Sequence, residues 1–285
     1  MSASVCPFET GSSRAARELA SIRVDGGFRI AVAHADGRTR VTDLEERGGW
    51  RVRFPELADG GDLEAISINT GGGILGGDHV RSAIEVESGH LCVASQAAER
   101  IYRSLGPPAI IETSMALGDG ARLDWLPQET ILFSSARLQR RYDVAMATTA
   151  QLLMVETIVL GRTASGEAVR DGSLSDQWRV HRGGKLIFAE ATRLAGDMHT
   201  HMQGPAIGDG ARAMAVVLLV APMAEHKLET VRAVCNGAEL DCGVSAWNGM
   251  LTARLMARDA AALRQTVVRV AEAAMGRRLP RVWSL

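Results

Sequence analysis

The chain has 285 residues, enough for one large domain or two small ones. Hydrophobic residues make up 46% of it and aromatic residues only 4%, so a sizeable core must be built mainly from Val, Ile, Leu, Ala and Met. The formal net charge of -1 lacks the basic excess with which nucleic-acid-binding proteins neutralise phosphates, so we expect no nucleic-acid partner.

The N-terminal residues 1–18 are small and polar without periodicity, and we expect a flexible leader ahead of a single domain at residues 19–285. No signal peptide is expected, because the leader has no apolar stretch. The longest apolar run, Ala213–Ala224, has 12 residues, whereas a membrane-spanning helix needs about 20. Four cysteines without a C-x-x-C motif are typical of reduced thiols. We therefore expect a cytoplasmic protein that does not associate with membranes.

From residue 20 onward, short apolar or alternating runs are separated by Gly, Asp or Pro, which is the pattern of β-strands joined by turns. The runs Leu152–Leu160 and Ala213–Val220 are apolar almost throughout, which indicates strands covered on both faces. No fixed repeat length occurs, so a regular repeat array is not expected. The pattern predicts a mostly β protein that is a sandwich, a barrel or an irregular solenoid.

Two α-helices are predicted near the C-terminus. The first has its apolar face at Leu228, Val231 and Cys235, and Asn236-Gly237 is a plausible end for it. The second begins after Asp259, whose carboxylate can cap it, and ends near Gly276. Its apolar face is formed by Leu263, Val267, Val270 and Ala274. Because isolated helices of this length are marginal in water, we expect both to pack on the β body.

The glycine-rich segment Thr70–Asp78 contains the G-x-G-x-x-G and G-x-x-x-x-G patterns of nucleotide-binding loops. The first pattern binds a pyrophosphate where its last glycine opens a helix, but residues 79–86 indicate a strand. A P-loop continues with Lys-Ser or Lys-Thr, whereas this chain continues with Asp78, whose carboxylate would repel a phosphate. We therefore predict a backbone turn and not a nucleotide site.

Four carboxylates in or beside apolar or glycine-rich stretches are candidate site residues: Asp78, Glu129, Glu156 and Glu167. Glu156 is the sharpest candidate, because it interrupts the apolar run at residues 152–160. A buried carboxylate must be paired, hydrogen-bonded or hydrated. The simplest interpretation is a salt bridge to a nearby arginine such as Arg162. The functional alternative is a polar lining for an ion or water path.

His199 and His201 are the candidate metal ligands. On a strand, their side chains would project from the same face at a spacing able to contact one ion. Two imidazoles do not complete a site, however, and no cysteine or third histidine lies close in sequence. Most such pairs are solvated surface residues, so we predict at most a transient ligand pair for a metal ion.

Five segments, taken in order, resemble the family of urease accessory proteins UreD, also called UreH. The segments are Asn69–Asp78, Ser95–Ser104, Trp125–Phe133, Gly161–Glu167 and Leu279–Trp283. The similarity runs from about residue 20 to the C-terminus. Ser95 stands where a threonine is expected, and His79-Val80 stands where the family more often has a basic residue and leucine. The two histidines at 199 and 201 are not part of the family pattern.

The resemblance implies a mostly β fold with an irregular β-helical or solenoid-like body and two C-terminal helices. It implies a protein without catalytic activity that binds apo-urease and joins UreF and the GTPase UreG, in a complex that inserts nickel into the urease active site. It also implies an internal polar path on which nickel is held transiently, with no tightly bound cofactor. The path or interface candidates are then Asp78, Glu129, Glu156 and Glu167.

Two other functions stay open at this point. The first is a β-solenoid or sandwich hydrolase with a carboxylate pair, which would need two close carboxylates in an open cleft. The second is a dedicated metal-binding protein that uses His199 and His201. Nucleophilic catalysis has little support, because Ser165 does not lie in a G-x-S-x-G motif and neither Cys6 nor Cys92 has a recognisable catalytic signature.

Overall fold

The computed structural model describes residues 23–56, 63–162 and 165–284. The leader expected at residues 1–18 lies outside the described residues. The described part of the chain contains 17 β-strands and three α-helices. None of these helices is long and apolar enough to cross a membrane.

The first sheet has seven strands. They are β1 (Asp25–Ala35), β2 (Arg38–Arg47), β5 (His79–Val86), β8 (Ala109–Leu117), β11 (Arg137–Met146), β13 (Ser173–Arg182) and β14 (Lys185–Ala195). Their order across the sheet is β14-β13-β11-β8-β5-β1-β2. The five inner strands run parallel to one another, and the two edge strands β2 and β14 are antiparallel to their neighbours.

The second sheet has ten strands. They are β3 (Trp50–Arg53), β4 (Leu63–Asn69), β6 (His90–Ser95), β7 (Glu99–Ile101), β9 (Arg122–Leu126), β10 (Thr130–Leu132), β12 (Gln151–Leu160), β15 (Ala213–Val220), β16 (Asp241–Trp247) and β17 (Met250–Ala257). Eight strands follow the order β16-β17-β15-β12-β9-β6-β4-β3. The short strand β10 pairs with β12 and with β7.

The two sheets enclose the main hydrophobic core. Alternate residues of β12, such as Leu152 and Met154, pack in this core, because successive side chains of a strand point to opposite faces. The intervening residues, such as Leu153 and Val155, pack in a second cluster together with the C-terminal helices. The second sheet is thus covered on both faces, which confirms the prediction for residues 152–160.

Three helices accompany the sheets: α1 (Met198–Met202), α2 (Leu228–Asn236) and α3 (Ala260–Met275). Helix α3 is capped by Asp259, whose Oδ1 accepts a hydrogen bond of 2.7 Å from the backbone N–H of Ala262. It ends at Gly276, whose φ of 75° lies in the left-handed region that glycine tolerates. The bounds of α2 and α3 confirm the two predicted C-terminal helices.

The prediction of a mostly β fold with two C-terminal helices is therefore confirmed. From β4 to β13 the chain passes repeatedly between the two sheets, so strands distant in sequence become parallel neighbours. Neither sheet closes into a barrel within the described residues. The solenoid-like character and the single domain at residues 19–285 stay predictions.

Candidate functional site

The glycine-rich segment is a tight turn that Asp78 closes. Oδ1 of this carboxylate accepts a hydrogen bond of 2.9 Å from the Val24 N–H, and Oδ2 accepts one of 2.8 Å from the Leu75 N–H. Strand β5 follows directly, so no helix N-terminus is available to a phosphate. A Cβ at Gly73 would overlap the Tyr102 ring. The glycines therefore allow close packing of the backbone, and Asp78 has a structural role in the turn.

Glu129 holds helix α3 against the β body. Its Oε1 accepts a hydrogen bond of 2.6 Å from Arg264 Nη1. The same guanidinium donates to Gln128 Oε1 at 2.5 Å and to the Trp283 carbonyl oxygen at 3.1 Å. Glu129 thus contributes to a tether that joins α3, the chain end and the segment before β10.

Glu167 is occupied by local donors. Its Oε2 accepts hydrogen bonds from the Arg162 backbone N–H at 3.0 Å and Nε at 3.1 Å, and its Oε1 accepts one of 3.2 Å from the Ser134 N–H. Burial raises the pKa of the Glu167 carboxyl, but these hydrogen bonds outweigh it and lower the pKa overall. Arg162, the expected partner of Glu156, is therefore paired with Glu167.

Glu156 lies between the two sheets, where its side chain is 3% exposed. It accepts hydrogen bonds from Arg140 Nη1 at 2.7 Å, from Trp125 Nε1 at 2.8 Å and from the Tyr142 hydroxyl. The expected salt bridge exists, but naming Arg162 as the partner was wrong. Residues 140 and 156 point into the same space from β11 and β12, whereas Arg162 lies beyond the end of β12.

Arg140 connects Glu156 to a second buried carboxylate, Asp176. Residues 140 and 176 are in register on β11 and β13, and the guanidinium bonds Asp176 through Nε at 3.0 Å and Nη2 at 2.8 Å. Burial alone would lower the pKa of Arg140, but the two carboxylates raise it well above its usual value. Burial also raises the pKa of the Glu156 carboxyl, although the positive charge of Arg140 acts in the opposite direction. The three groups form one buried ionic cluster, the Arg140 cluster.

The Arg140 cluster borders a cleft of about 480 Å³ between the edges of the sheets. Both Glu156 and Asp176 line this cleft. Glu190 of β14 and Asp241 of β16 bring the number of carboxylates to four, and Glu190 is paired with Arg254. The cleft therefore has an acidic lining, and it lies beside the outermost strands β14 and β16.

Two smaller cavities continue from the cleft toward the glycine-rich turn. The inner cavity, of about 70 Å³, shares Glu156 with the cleft and has hydroxyl groups of Ser82, Thr113 and Thr130 in its lining. The outer cavity, of about 180 Å³, shares four lining residues with the inner one: Trp50, Ser67, Ser95 and Glu99. The three spaces are therefore neighbours in a series, with Glu156 at one junction and Glu99 at the other.

Glu99 has no ion-pair partner within 4.0 Å among the described residues. Its Oε1 accepts a hydrogen bond of 3.0 Å from Asn69 Nδ2. Burial raises the pKa of the Glu99 carboxyl to about 7, although the Asn69 hydrogen bond acts in the opposite direction. Sequence reasoning did not single out Glu99, because its small and polar neighbours in Ser95–Ser104 carry no sign of burial.

Only Glu156 of the four predicted carboxylates lines these cavities, and the structure brings no two of the four together. Arg140 and Asp176 were missed because ion pairs between distant strands leave no local pattern. One signal was available for Arg140. It occupies an inward position in the alternating run Leu138, Arg140, Tyr142 and Val144 of β11, where only a partnered charge is tolerated.

His199 and His201 lie on helix α1 and not on a strand. Residues two apart on a helix differ in direction by about 200°, so the prediction that they share one face is wrong. The helix forms because Asp197 caps it by accepting a hydrogen bond of 2.9 Å from the Thr200 N–H. Within the described ranges, no group of three or more His, Cys, Asp or Glu residues could hold a metal ion.

The expectation of reduced thiols is wrong for Cys235 and Cys242, which form a disulfide. The end of α2 packs against β16 and brings the two Cα atoms to 5.6 Å. Cys92 is a free thiol, and burial raises its pKa well above the usual value. The fourth cysteine, Cys6, lies outside the described residues.

Comparison with known proteins identifies relatives along nearly the whole chain. The family model described as UreD urease accessory protein matches residues 24–284. A urease accessory protein UreD of Azorhizobium caulinodans is 45% identical over 92% of this chain and 97% of its own length. One of Xanthobacter autotrophicus is 47% identical over 92% of this chain and 90% of its own length. The chain therefore belongs to the UreD family of urease accessory proteins.

Proposed function

We propose that this chain is a non-catalytic accessory protein of the cytoplasm that binds apo-urease. With UreF and the GTPase UreG, it promotes assembly of the nickel active site of urease. Membership of a family of urease accessory proteins supports this role. Nickel is the cargo of the protein in this proposal and not a resident cofactor.

The observation that carries the proposal is the series of three cavities between the sheets. Carboxylates stand at both junctions, Glu156 between the cleft and the inner cavity and Glu99 between the inner and outer cavities. Oxygen ligands of this kind accept Ni²⁺, and a conduit must bind the ion weakly enough to release it. Carboxylates spread along a series of cavities suit transit better than storage.

The Arg140 cluster supplies a way to hold the cation briefly. In the resting protein, the guanidinium of Arg140 bonds both Glu156 and Asp176. A divalent cation that displaces it would meet two carboxylates already oriented toward one position. Once the cation leaves, the guanidinium restores the ion pairs. Exchange between two cationic partners keeps the two carboxylates paired with a positive charge throughout.

The other predicted carboxylates have a different part in the proposal. Asp78 closes the glycine-rich turn, Glu129 binds Arg264, and Glu167 binds Arg162. We assign these three to the shape of the protein and of its partner surfaces and not to the nickel path. Their removal is expected to act through stability or assembly.

Complementation of a urease-positive host that lacks the gene tests the role of Glu156. Glu156→Gln keeps the size of the side chain and removes its charge, and Glu85→Gln, at an exposed side chain that lines none of the three cavities, is the matched control. We expect urease protein with reduced nickel content and activity for Glu156→Gln, while UreF, UreG and apo-urease still co-purify with it. Full activity would contradict the nickel path, and loss of the complex or of the fold would favour a purely structural salt bridge.

A hydrolase is the second candidate, because Glu156 and Asp176 both border an open cleft. Arg140 donates to both carboxylates, and Glu156 accepts two further hydrogen bonds, so neither group is free to transfer a proton. Hydrolysis of a panel of esters and glycosides by the purified chain, abolished by Asp176→Asn, would favour this candidate. A dedicated metal-binding site at residues 199 and 201 is not proposed, since the two side chains do not share a face.

A further inference from the structure

The disulfide between Cys235 and Cys242 joins a well-packed helix to a strand at the edge of a sheet. Cys235 is 6% exposed in the last turn of α2, a helix that packs on α3 and on the second sheet. Cys242 is half-buried on β16, the outermost strand of that sheet, which pairs only with β17. The bond therefore gives an edge strand a second attachment.

The attached strand is a wall of the acidic cleft. Asp241, Cys242 and Gly243 all contribute to its lining, opposite Glu190 and Thr192 of β14. Because β16 has a neighbour on one side only, its position depends on its pairing with β17 and on its contacts with α2. An added cross-link to α2 restricts how far this wall can move away from the cleft.

The bond does not have the features of a disulfide that serves mainly to stabilise the fold. It spans a sequence separation of only seven residues, and a disulfide that closes a short loop is expected to stabilise the fold less than one that closes a long loop. Disulfides of cytoplasmic proteins are usually transient and catalytic or redox-sensing. This step rests on the cytoplasmic location in the proposed function, whereas the position of the pair does not.

We propose that Cys235 and Cys242 form a reversible thiol–disulfide pair whose redox state sets how firmly β16, a wall of the acidic cleft, is held to α2. The oxidised pair keeps this wall fixed, and the reduced pair lets the strand move. Cys92 takes no part, because it is a separate free thiol on β6 and the bond joins the other two cysteines.

A hydroperoxide is the oxidant class that this pair requires. The thiolate of the more accessible Cys242 attacks the O–O bond, which breaks to leave a sulfenic acid on Cys242 and release an alcohol, or water from hydrogen peroxide. The Cys235 thiolate then attacks the sulfenic sulfur, the S–S bond forms, and the oxygen leaves as water. Two thiols thus give two electrons to one peroxide. A reduced dithiol reverses the step by two exchanges and becomes a disulfide itself.

The experiment uses the full chain, reduced with dithiothreitol, freed of it, and then treated with hydrogen peroxide or left untreated. Alkylation followed by peptide mass spectrometry reports each cysteine, and hydrogen–deuterium exchange reports residues 241–247. We expect a Cys235–Cys242 cross-link after peroxide, its loss under dithiothreitol without unfolding, and several-fold slower exchange of β16 in the oxidised chain.

Matched variants separate this proposal from nonspecific oxidation. Cys242→Ser and Cys235→Ser should each abolish both the cross-link and the peroxide effect on β16, and Cys92→Ser should leave both intact. A bond that never forms, one that resists dithiothreitol in the folded chain, or equal exchange of β16 in both states would overturn the proposal. None of these measurements uses nickel or urease, so their outcome is independent of the proposed function.

Discussion

The charge buried at Arg140 is tolerable only because two carboxylates share it. Arg140→Met should leave Glu156 and Asp176 buried together without a cation, at a cost of about 3–5 kcal/mol in the free energy of unfolding. Urea denaturation at neutral pH measures this. Arg141→Met, which removes an exposed pair with Asp143, should cost below about 1 kcal/mol. Equal effects of the two substitutions would contradict a buried ionic cluster.

Glu99 makes the stability of the protein depend on pH. Its pKa is raised from 4.5 to about 7, so the folded chain binds more protons than the unfolded chain in this interval. The contribution of Glu99 is therefore fully present below about pH 4.5 and is lost as the pH rises through about 7. The Glu99→Gln variant should therefore become more stable than the wild type as the pH rises from 5 to 8, by up to about 3 kcal/mol in the free energy of unfolding.

Urea denaturation of both proteins at several pH values checks this difference. Glu85→Gln is the control, because Glu85 is exposed beside Arg29 and lines none of the three cavities. A stability difference between Glu99→Gln and wild type that stays constant with pH would show that the carboxyl is hydrated.

Single residues were predictable from sequence where they broke a local pattern. Glu156 interrupts an otherwise apolar strand, and Asp259 precedes an amphipathic helix, so both were identified. The partners Arg140 and Asp176 were not, because they lie 16 and 20 residues from Glu156 and meet it only through the pairing of sheets. Glu99 neither interrupts an apolar strand nor precedes an amphipathic helix, so no local pattern marked it.

At the scale of elements, the glycine-rich turn depends on close contact with the loop that follows β7. A Cβ at Gly76 would overlap the Ser104 side chain and lie 2.9 Å from the Pro107 carbonyl oxygen. Gly76→Ala should therefore cost about 1–3 kcal/mol or more, since backbone must move to relieve the overlap. Thermal or urea unfolding measures the loss. Gly106→Ala in the neighbouring loop meets nothing within 4 Å and should be nearly neutral.

The predicted elements were most accurate where local chemistry fixes the ends. Helices α2 and α3 have a face of apolar residues and a glycine at the end, and both were found. Helix α1 was missed because its five residues are too few for a periodic pattern. The three-residue strands β7 and β10 pair with each other, and β10 also pairs with β12, so both depend on contacts distant in sequence.

At the scale of the whole molecule, the order of strands decides where the cavities lie. Sequence alone indicated a mostly β chain and left sandwich, barrel and solenoid open, because pairing of β5 with β8 or β12 with β15 has no local signature. The cleft arises where the two sheets end at β14 and β16, strands that are about 50 residues apart. A linear pattern cannot express such a juxtaposition, so only the buried position of Glu156 and the resemblance to a family pointed to an internal path.

The series of cavities predicts that obstruction at either end has the same consequence. Gly243 lines the cleft, and a Cβ there meets nothing within 4 Å, so Gly243→Trp fills the cleft without a backbone clash. Ala98 lines the outer cavity, so Ala98→Trp obstructs that space, and Ala116→Trp on the exposed face of β8 is the control. If nickel passes through all three spaces, both cavity variants should lower the nickel content of urease several-fold in complementing cells.

The Ala116→Trp control should leave the nickel content of urease unchanged, and all three variants should still co-purify with UreF, UreG and apo-urease. A loss of nickel from only one cavity variant would mean that the cavities do not act in series, and a loss of co-purification would identify that opening as a partner surface.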